Sequence, residues 1–246
     1  MFTSIQLWFN REIVKNLIFV FLFFVFALIS FNVNLSHIRV FGDSTSNAPK
    51  TFTLFQFIGP TAGAFLSTSY GLVVVFIAQL TDFIIKGKEF SIASILFLFP
   101  ALGAVYFFSA YAKKKAMNDI LTYLIPIAAI SLFAIHPVGR DALLYTSFWL
   151  IPIIVKFLPK NLFLRSLGAT FTTHAIGSTI WLYLFETSSA FWLALIPIVI
   201  VERITFALGI SVTFIVFNTI LNLVSTKIID ISKHINIEKE YALRIV

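Results

Sequence analysis

From Leu17 to Leu223 the chain is a succession of apolar runs separated by short polar turns, and no other feature limits its possible folds so tightly. The runs cover 17–33, 52–85, 91–111, 119–135, 142–155, 167–185 and 190–223. About 20 residues of helix cross the hydrocarbon of a bilayer, so several of these runs are transmembrane candidates by length alone. The fold they predict is all-α, a polytopic integral membrane helical bundle. A soluble fold would need a polar surface that the chain cannot supply. Charged residues make up 12 % and apolar ones 59 %, with a mean hydropathy of +0.96; an ordinary soluble domain has about 25 % charged residues.

Two runs are too long for one perpendicular crossing, and the basic residues decide how to divide them. Splitting 52–85 into two crossings at a break near Gly59 and Pro60, and keeping 190–223 as one tilted helix, gives about eight transmembrane segments. Arg11, Lys15, Lys113, Lys114, Lys115, Lys156, Lys160, Arg165, Lys227, Lys233, Lys239 and Arg244 then share one side. Arg39, Lys50, Lys86, Lys88 and Arg140 fall on the other. Lys and Arg accumulate on the cytoplasmic side of membrane proteins. This reading predicts a multi-pass protein of the cell membrane with both termini cytoplasmic. The first run is longer than the 7 to 15 residues usual in a signal peptide and is read as a helix that stays.

The predicted domain organisation is a single membrane domain over 1–223 and an amphipathic cytoplasmic tail over 224–246. In the tail Val224, Ile228, Ile231 and Ile235 repeat at helical spacing. Asn34 to Thr51 is the longest polar interval, and long loops in compact folds are often functional. A lid over a solute site and a plain tether are both open readings of it. The small residues Gly59, Gly63, Ser67 and Gly71 recur every fourth position, a spacing that lets helix backbones approach closely.

Chemistry-bearing motifs are sparse. The chain has no cysteine, and its four histidines, His37, His136, His174 and His234, are scattered. No zinc-protease helix, nucleophile elbow, phosphate-binding Gly-Lys-Ser loop or dinucleotide fingerprint occurs, so neither a metal nor a cofactor is predicted. The net charge of +7 follows from basic residues flanking apolar runs. Membrane lipid is therefore the expected surface partner, and nucleic acid is not.

Three ionisable residues interrupt the last two runs: His174 in one, Glu202 and Arg203 in the next. Such groups cost roughly 2.5 to 3.5 kcal/mol each on insertion scales and usually face an interior or a cavity. Glu202 and Arg203 are neighbours about 100° apart on a helix, and neighbours at that spacing do not face each other. Each is expected to find another partner, Glu202 with His174 and Arg203 with Glu186 or Asp82. The candidate substrate-binding residues are Gln56, Gly59, Pro60 and Gly63 at the predicted break, with His174, Glu202 and Arg203.

Gly59, Pro60, Thr61, Ala62, Gly63 and Ala64 followed by Asp82, a long loop after the first helix and inner termini give the chain a further likeness. It resembles the membrane-embedded S components of energy-coupling-factor (ECF) transporters. That resemblance implies a small-molecule ligand bound in an outward-facing pocket and passed to an ATPase and coupling membrane module. Such components usually have six segments, and only Ala27 matches their small-residue docking pattern in the first helix. The segment with Trp192, Pro197, Glu202, Arg203 and Gly209 is also similar to that of uncharacterised archaeal polytopic membrane proteins. The expected function is a solute-binding or transport component taking up a small polar or amphipathic molecule. The alternatives are a membrane-embedded enzyme acting on a lipid or isoprenoid, with His174 as base oriented by Glu202, and a non-catalytic scaffold.

Overall fold

The computed structural model describes residues 2–35, 52–113 and 119–243, with side chains from Asn16 onward. The described residues are all-helical apart from one isolated antiparallel bridge, Asn34 to Thr53. That bridge closes the base of the long polar loop. Leu35 N donates to the Phe52 carbonyl at 2.7 Å and Leu54 N to the Val33 carbonyl at 2.9 Å. Residues 36–51, the body of the expected lid, lie outside the described residues, as do 114–118.

In chain order, α1 (Phe2–Ser30) leads to α2 (Phe55–Ile58), which continues through a 3-10 turn at Gly59–Thr61 into α3 (Ala62–Leu66). Then come α4 (Thr68–Ile85), α5 (Ile92–Leu96), α6 (Pro100–Ala112), α7 (Leu121–Ile135) and α8 (Pro137–Asp141). A 3-10 stretch, Leu143–Leu150, runs into α9 (Ile151–Ile154) and a further 3-10 turn, Val155–Phe157. The chain ends with α10 (Leu162–Leu184), α11 (Ser189–Ala194), α12 (Ile196–Lys227) and a tail.

The break in the 52–85 run lies at Ser67, not near Gly59 and Pro60. Gly59 keeps helical angles, φ −49° and ψ −50°. Pro60 occupies the first turn of its 3-10 segment, where its missing N–H is no loss. Ser67 instead takes φ 84° and ψ 157°, the only positive φ at a non-glycine residue among those described. The chain reverses there into a hairpin of α2–α3 against α4. Gly63 and Gly71 stand four residues to either side of the turn and face each other. A Cβ on Gly71 would lie 2.5 Å from both Cα and N of Gly63. The fourfold spacing of small residues is thus a mirror pattern about a turn rather than a stripe along one helix.

Three helices are long and apolar enough to cross a membrane: Thr68–Ile85, Ile92–Ala112 and Ile196–Lys227. This is fewer than the eight expected, and the remainder fall short for separate reasons. Residues 55–66 rise only about 18 Å. Asn16–Ser30, Leu121–Ile135 and Leu143–Phe157 are apolar but shorter. α10 has 23 residues but carries Arg165, His174 and a series of hydroxyls. Exposed Phe21, Val73, Leu124, Val201, Leu208 and Val212 give the outer surface the apolar character that hydrocarbon requires.

α10 is the axis of the structure, packed against α6, α7, α9 and α12. Its approach to α6 depends on absent side chains. A Cβ on Gly168 would collide with the Phe107 ring, and one on Gly103 with Ile176. Small residues at helix crossings are the usual means of close packing in membranes.

After α12 the tail is not the amphipathic surface helix predicted from its spacing. Asp230 makes a turn by accepting from Ser232 Oγ at 2.6 Å and Ser232 N at 3.0 Å, and these bonds hold its carboxyl below the usual carboxylate range. The chain then folds back over the end of the bundle. Ile231 and Ile235 are buried while Ile228 is exposed. Asn236 N donates to the Phe65 carbonyl at 2.8 Å, and its side chain donates to the Ala64 carbonyl at 3.0 Å. Polar partners offered by the bundle hold the tail extended against the helical preference of its apolar spacing.

Replacing Gly71 with Ala forces the hairpin apart and is expected to destabilise the protein by about 1–3 kcal/mol, the range for overpacking. Gly177→Ala has only ordinary contacts with Pro100, at 3.8 and 3.9 Å, and should be neutral or stabilising by up to about 1 kcal/mol. Thermal unfolding of the two purified variants in one detergent tests the pair. Equal melting temperatures would refute the hairpin contact.

Candidate functional site

Two polar constellations stand out, and α10 contributes to both. The first lies between α10, α12 and the 3-10 stretch before α9. His174 Nε2 and the Tyr145 hydroxyl are hydrogen-bonded at 2.9 Å, and the same hydroxyl lies 3.4 Å from Ser178 Oγ. Phe133, Trp149 and Trp192 surround Tyr145 with ring-centroid distances of 5.0 to 6.0 Å. One turn from His174 along α10, Thr170 Oγ1 accepts from Arg203 Nη1 at 3.2 Å. The guanidinium lies 4.6 Å from the Phe206 ring centroid, and its Nε is buried without a hydrogen-bond partner.

The ion pairing differs from expectation. Arg203 Nη2 meets Glu202 Oε2 at 2.5 Å. Helix geometry points neighbouring Cα–Cβ bonds apart, but an arginine is long enough to bend around the axis when its acid neighbour is only slightly exposed. His174 takes Tyr145 as partner, so the arrangement in which Glu202 orients the imidazole is not formed. Asp82, the other proposed partner of Arg203, pairs with Lys86 at 2.6 Å and Lys88 at 3.5 Å.

The remaining candidates do not join this group. Gln56 Oε1 accepts from Thr53 N at 2.7 Å and Thr53 Oγ1 at 2.9 Å, a local contact at the start of α2. Gly59 lies beneath the Phe55 ring and Pro60 is buried. The Phe57 ring packs against Phe206 and against Gly209, so α2 meets α12 one turn beyond Arg203. Gly63 lies elsewhere, on the wall of the second constellation.

That second constellation borders a wide, open cavity of about 1010 Å³ at the end of the bundle where Ser67, Lys113 and Lys160 meet the tail. Arg165, only 2 % exposed, is its most deeply set charge. Its Nε donates to the Phe108 carbonyl at 2.7 Å. Its Nη1 donates to both carboxylate oxygens of Glu238, at 3.0 and 2.9 Å. The guanidinium carbon sits 3.9 Å from the Phe108 ring centroid and 5.0 Å from that of Phe214. Nη2 is buried and has no hydrogen-bond partner. Asn218, fully buried on α12, grips Glu238 from behind: Glu238 N donates to Asn218 Oδ1 at 2.9 Å, and Asn218 Nδ2 donates to the Glu238 carbonyl.

A smaller cavity of about 200 Å³ lies among Phe31, Gln79, Asp82, Phe97 and Leu98, near the bridge that closes the long loop. Neither cavity is lined by His174, Glu202, Arg203, Gln56, Gly59 or Pro60. The sequence reading missed Arg165, which precedes an apolar run and so looks like a cytoplasmic flank. It also missed Glu238, in a tail with no motif. Asn218 did leave a signal, as one of two amides, with Asn222, in the apolar second half of α12.

Among the described residues no group of three or more His, Asp or Glu is arranged to hold a metal ion. No known family matches the chain, and neither a curated protein nor a solved structure is similar to it.

The Glu202–Arg203 pair predicts non-additive mutational effects. Glu202→Gln and Arg203→Met should each destabilise, since removing one partner strands the other, at about 3–5 kcal/mol for a fully buried pair and less for this partly screened one. The double variant should recover part of that loss, with a coupling of roughly 0.5–3 kcal/mol. A double-mutant cycle from thermal or chemical unfolding measures it; strict additivity would show that the pair contributes nothing.

Proposed function

We propose that the protein is a membrane-embedded solute-binding component of a transport system, with eight helical passes and both termini on the side of the basic clusters. In this reading 55–66 and 68–85 are two passes joined at Ser67. The half-length and irregular elements span only in the company of their neighbours, since non-helical backbone at membrane depth is tolerated where protein or a cavity satisfies it. The ligand is a small polar or amphipathic molecule, and a separate ATP-driven module supplies the energy.

The observation that carries this proposal is the cavity around Arg165. Its volume of about 1010 Å³ stands at the upper end of the range of roughly 300–1,000 Å³ typical of small-molecule sites. Its wall combines Phe65 and Leu66 with the hydroxyls of Ser109, Tyr111 and Tyr241. An apolar wall with a few convergent polar groups is the usual make-up of a ligand pocket. The turn of a helical hairpin reaches into it at Ser67, as the broken helices of transporters reach their substrates. The cavity opens at the pole of Lys113 and Lys160, so the state described is open to the basic side.

The test is to purify the full chain in lipid nanodiscs and identify by mass spectrometry what small molecule is retained. A single species approaching one per chain is expected. Ser69→Trp, at an exposed position on the cavity wall, should abolish retention while insertion and melting are unchanged. Gly177→Ala, away from the cavity and with room for its Cβ, should leave it intact. A species retained equally by all three proteins would overturn the assignment of the cavity, and no species in any of them would overturn the function.

A further inference from the structure

We infer that the tail over 231–243 and the tip of the hairpin at Ser67 form a gate at the basic end of the bundle, latched by Arg165 and Glu238, and that the two open as one unit. The inference rests on the reading of the adjoining cavity as the ligand site and adds how that site is opened.

Both parts border the same cavity. Ser67, Thr68 and Ser69 contribute from the hairpin, and Ser232, Asn236 and Glu238 from the tail. They are also bonded to each other, since Asn236 N donates to the Phe65 carbonyl at 2.8 Å and Asn236 Nδ2 to the Ala64 carbonyl at 3.0 Å. Lifting the tail therefore removes one border of the cavity and unties another.

The way the tail is held makes it separable from the bundle. It has no helix of its own beyond the 3-10 turn at Lys239–Tyr241. Ile231 and Ile235 are its buried apolar anchors, and Ile237 and Tyr241 are only partly covered. The other contacts are polar: Glu238 with Arg165 and Asn218, His234 with Asn16 at 3.1 Å, and the Leu243 amide with Thr219. Hydrogen bonds exchange for bonds to water when a segment lifts, so each adds little net stability. The Glu238 side chain is already 16 % exposed, which gives water access to the acid half of the latch. Segments with few buried apolar contacts open at the low end of a protein's range of local stabilities.

The turn into the tail serves as the hinge. Ile228 and Ile229 are 79 % and 63 % exposed, and Asp230 bonds to Ser225 and Ser232 within the turn itself. The hinge thus keeps its shape without the bundle. At the other part of the gate, Ser67 has φ 84° and ψ 157°. Such strain persists only where the surroundings enforce it. Here the enforcement comes from the Thr68 and Ser109 hydroxyls at 2.6 Å, from Ser109 Oγ on the Gly63 carbonyl at 3.0 Å, and from the tail's hold on Ala64 and Phe65. When the tail leaves, the strained turn loses part of that support, so the tip loosens with it. The polar contacts are directional, and the tail returns to the same register on closing.

Hydrogen–deuterium exchange of the full chain in nanodiscs of zwitterionic lipid, read by mass spectrometry with no ligand added, tests the gate. After correction for intrinsic rates, amides of 62–70 and 231–243 should exchange together, roughly tenfold or more faster than those of α10. Glu238→Gln should speed both segments by roughly tenfold or more, in line with loss of a charge-assisted hydrogen bond, and leave α10 unchanged. Because that variant strands Arg165, Asn236→Ala is measured beside it; it keeps the ion pair and should speed both segments several-fold. Exchange of the tail only at the rate of α10 in all three proteins would make the tail part of the core and overturn the gate. A tail that speeds up in the variants while 62–70 does not is a fraying end, and overturns it equally. If both segments open together but purified protein retains no small molecule, the gate stands and the solute-binding reading falls; retention without joint opening removes the gate alone.

Discussion

A polar helix at the centre of an apolar bundle has to satisfy its own hydrogen-bonding groups without water, and the structure is arranged around how α10 does so. Thr172 and Thr179 return their hydroxyl protons to the carbonyls four residues earlier, each at 2.8 Å. Ser166 accepts from Ser211 of α12 at 2.9 Å. Thr170 takes Arg203, and Ser178 and His174 share Tyr145. Only Arg165 needs more than its immediate neighbours supply, and the chain answers with a segment from its far end. α6, α7 and α12 each bring α10 a polar partner or a small residue that lets the backbones close: Gly103, the Leu132 carbonyl for Tyr183, and Ser211 and Arg203.

The tail shows the same physics from the other direction. Sixteen residues after α12 form little regular structure, yet the bundle gives them specific partners: Asn218 for the backbone of Glu238, Thr219 for the Leu243 amide at 2.9 Å, and the carbonyls of Ala64 and Phe65 for Asn236. Those two carbonyls are free because Ser67 stops α3 just beyond them, leaving the last carbonyls of that helix without intrahelical partners. The break in the hairpin thus creates the acceptors that dock the tail, and the docked tail delivers the carboxylate that neutralises Arg165. Turn, tail and buried cation form one dependent set.

How much of this the sequence revealed follows from which interactions are local. Apolar runs report helices directly, because each residue's burial or exposure is set by its own helix; the all-α architecture and the polar turns were legible for that reason. The presence of a break within 52–85 was also legible from length. Its position was not, since Gly and Pro are common breakers but Pro60 fits a first turn, and the decisive constraint is the contact of Gly63 with Gly71 across the hairpin. Arg203 of α12 does reach α10 one turn from His174, through Thr170. Their partners Tyr145 and Glu202 were misjudged because partner choice depends on which side chains a third segment brings near. The pairing of Arg165 with Glu238 links positions 73 residues apart, and nothing in either neighbourhood announces it.

The energetic standing of Arg165 bears on how the tail is held. Burying an ion pair is at best neutral against well-packed apolar residues of the same size, so stability alone gives little reason to set an arginine between Phe108 and Phe214. A hydrophobic side chain there would hold α6 against α12 and would not need a carboxylate from the tail. What the arginine adds is directional: one side chain binds the Phe108 carbonyl of α6 and both carboxylate oxygens of Glu238 in the tail. The buried cation thus ties α6 to the tail, through the Phe108 carbonyl and Glu238, as Arg203 links α12 to α10 through Thr170.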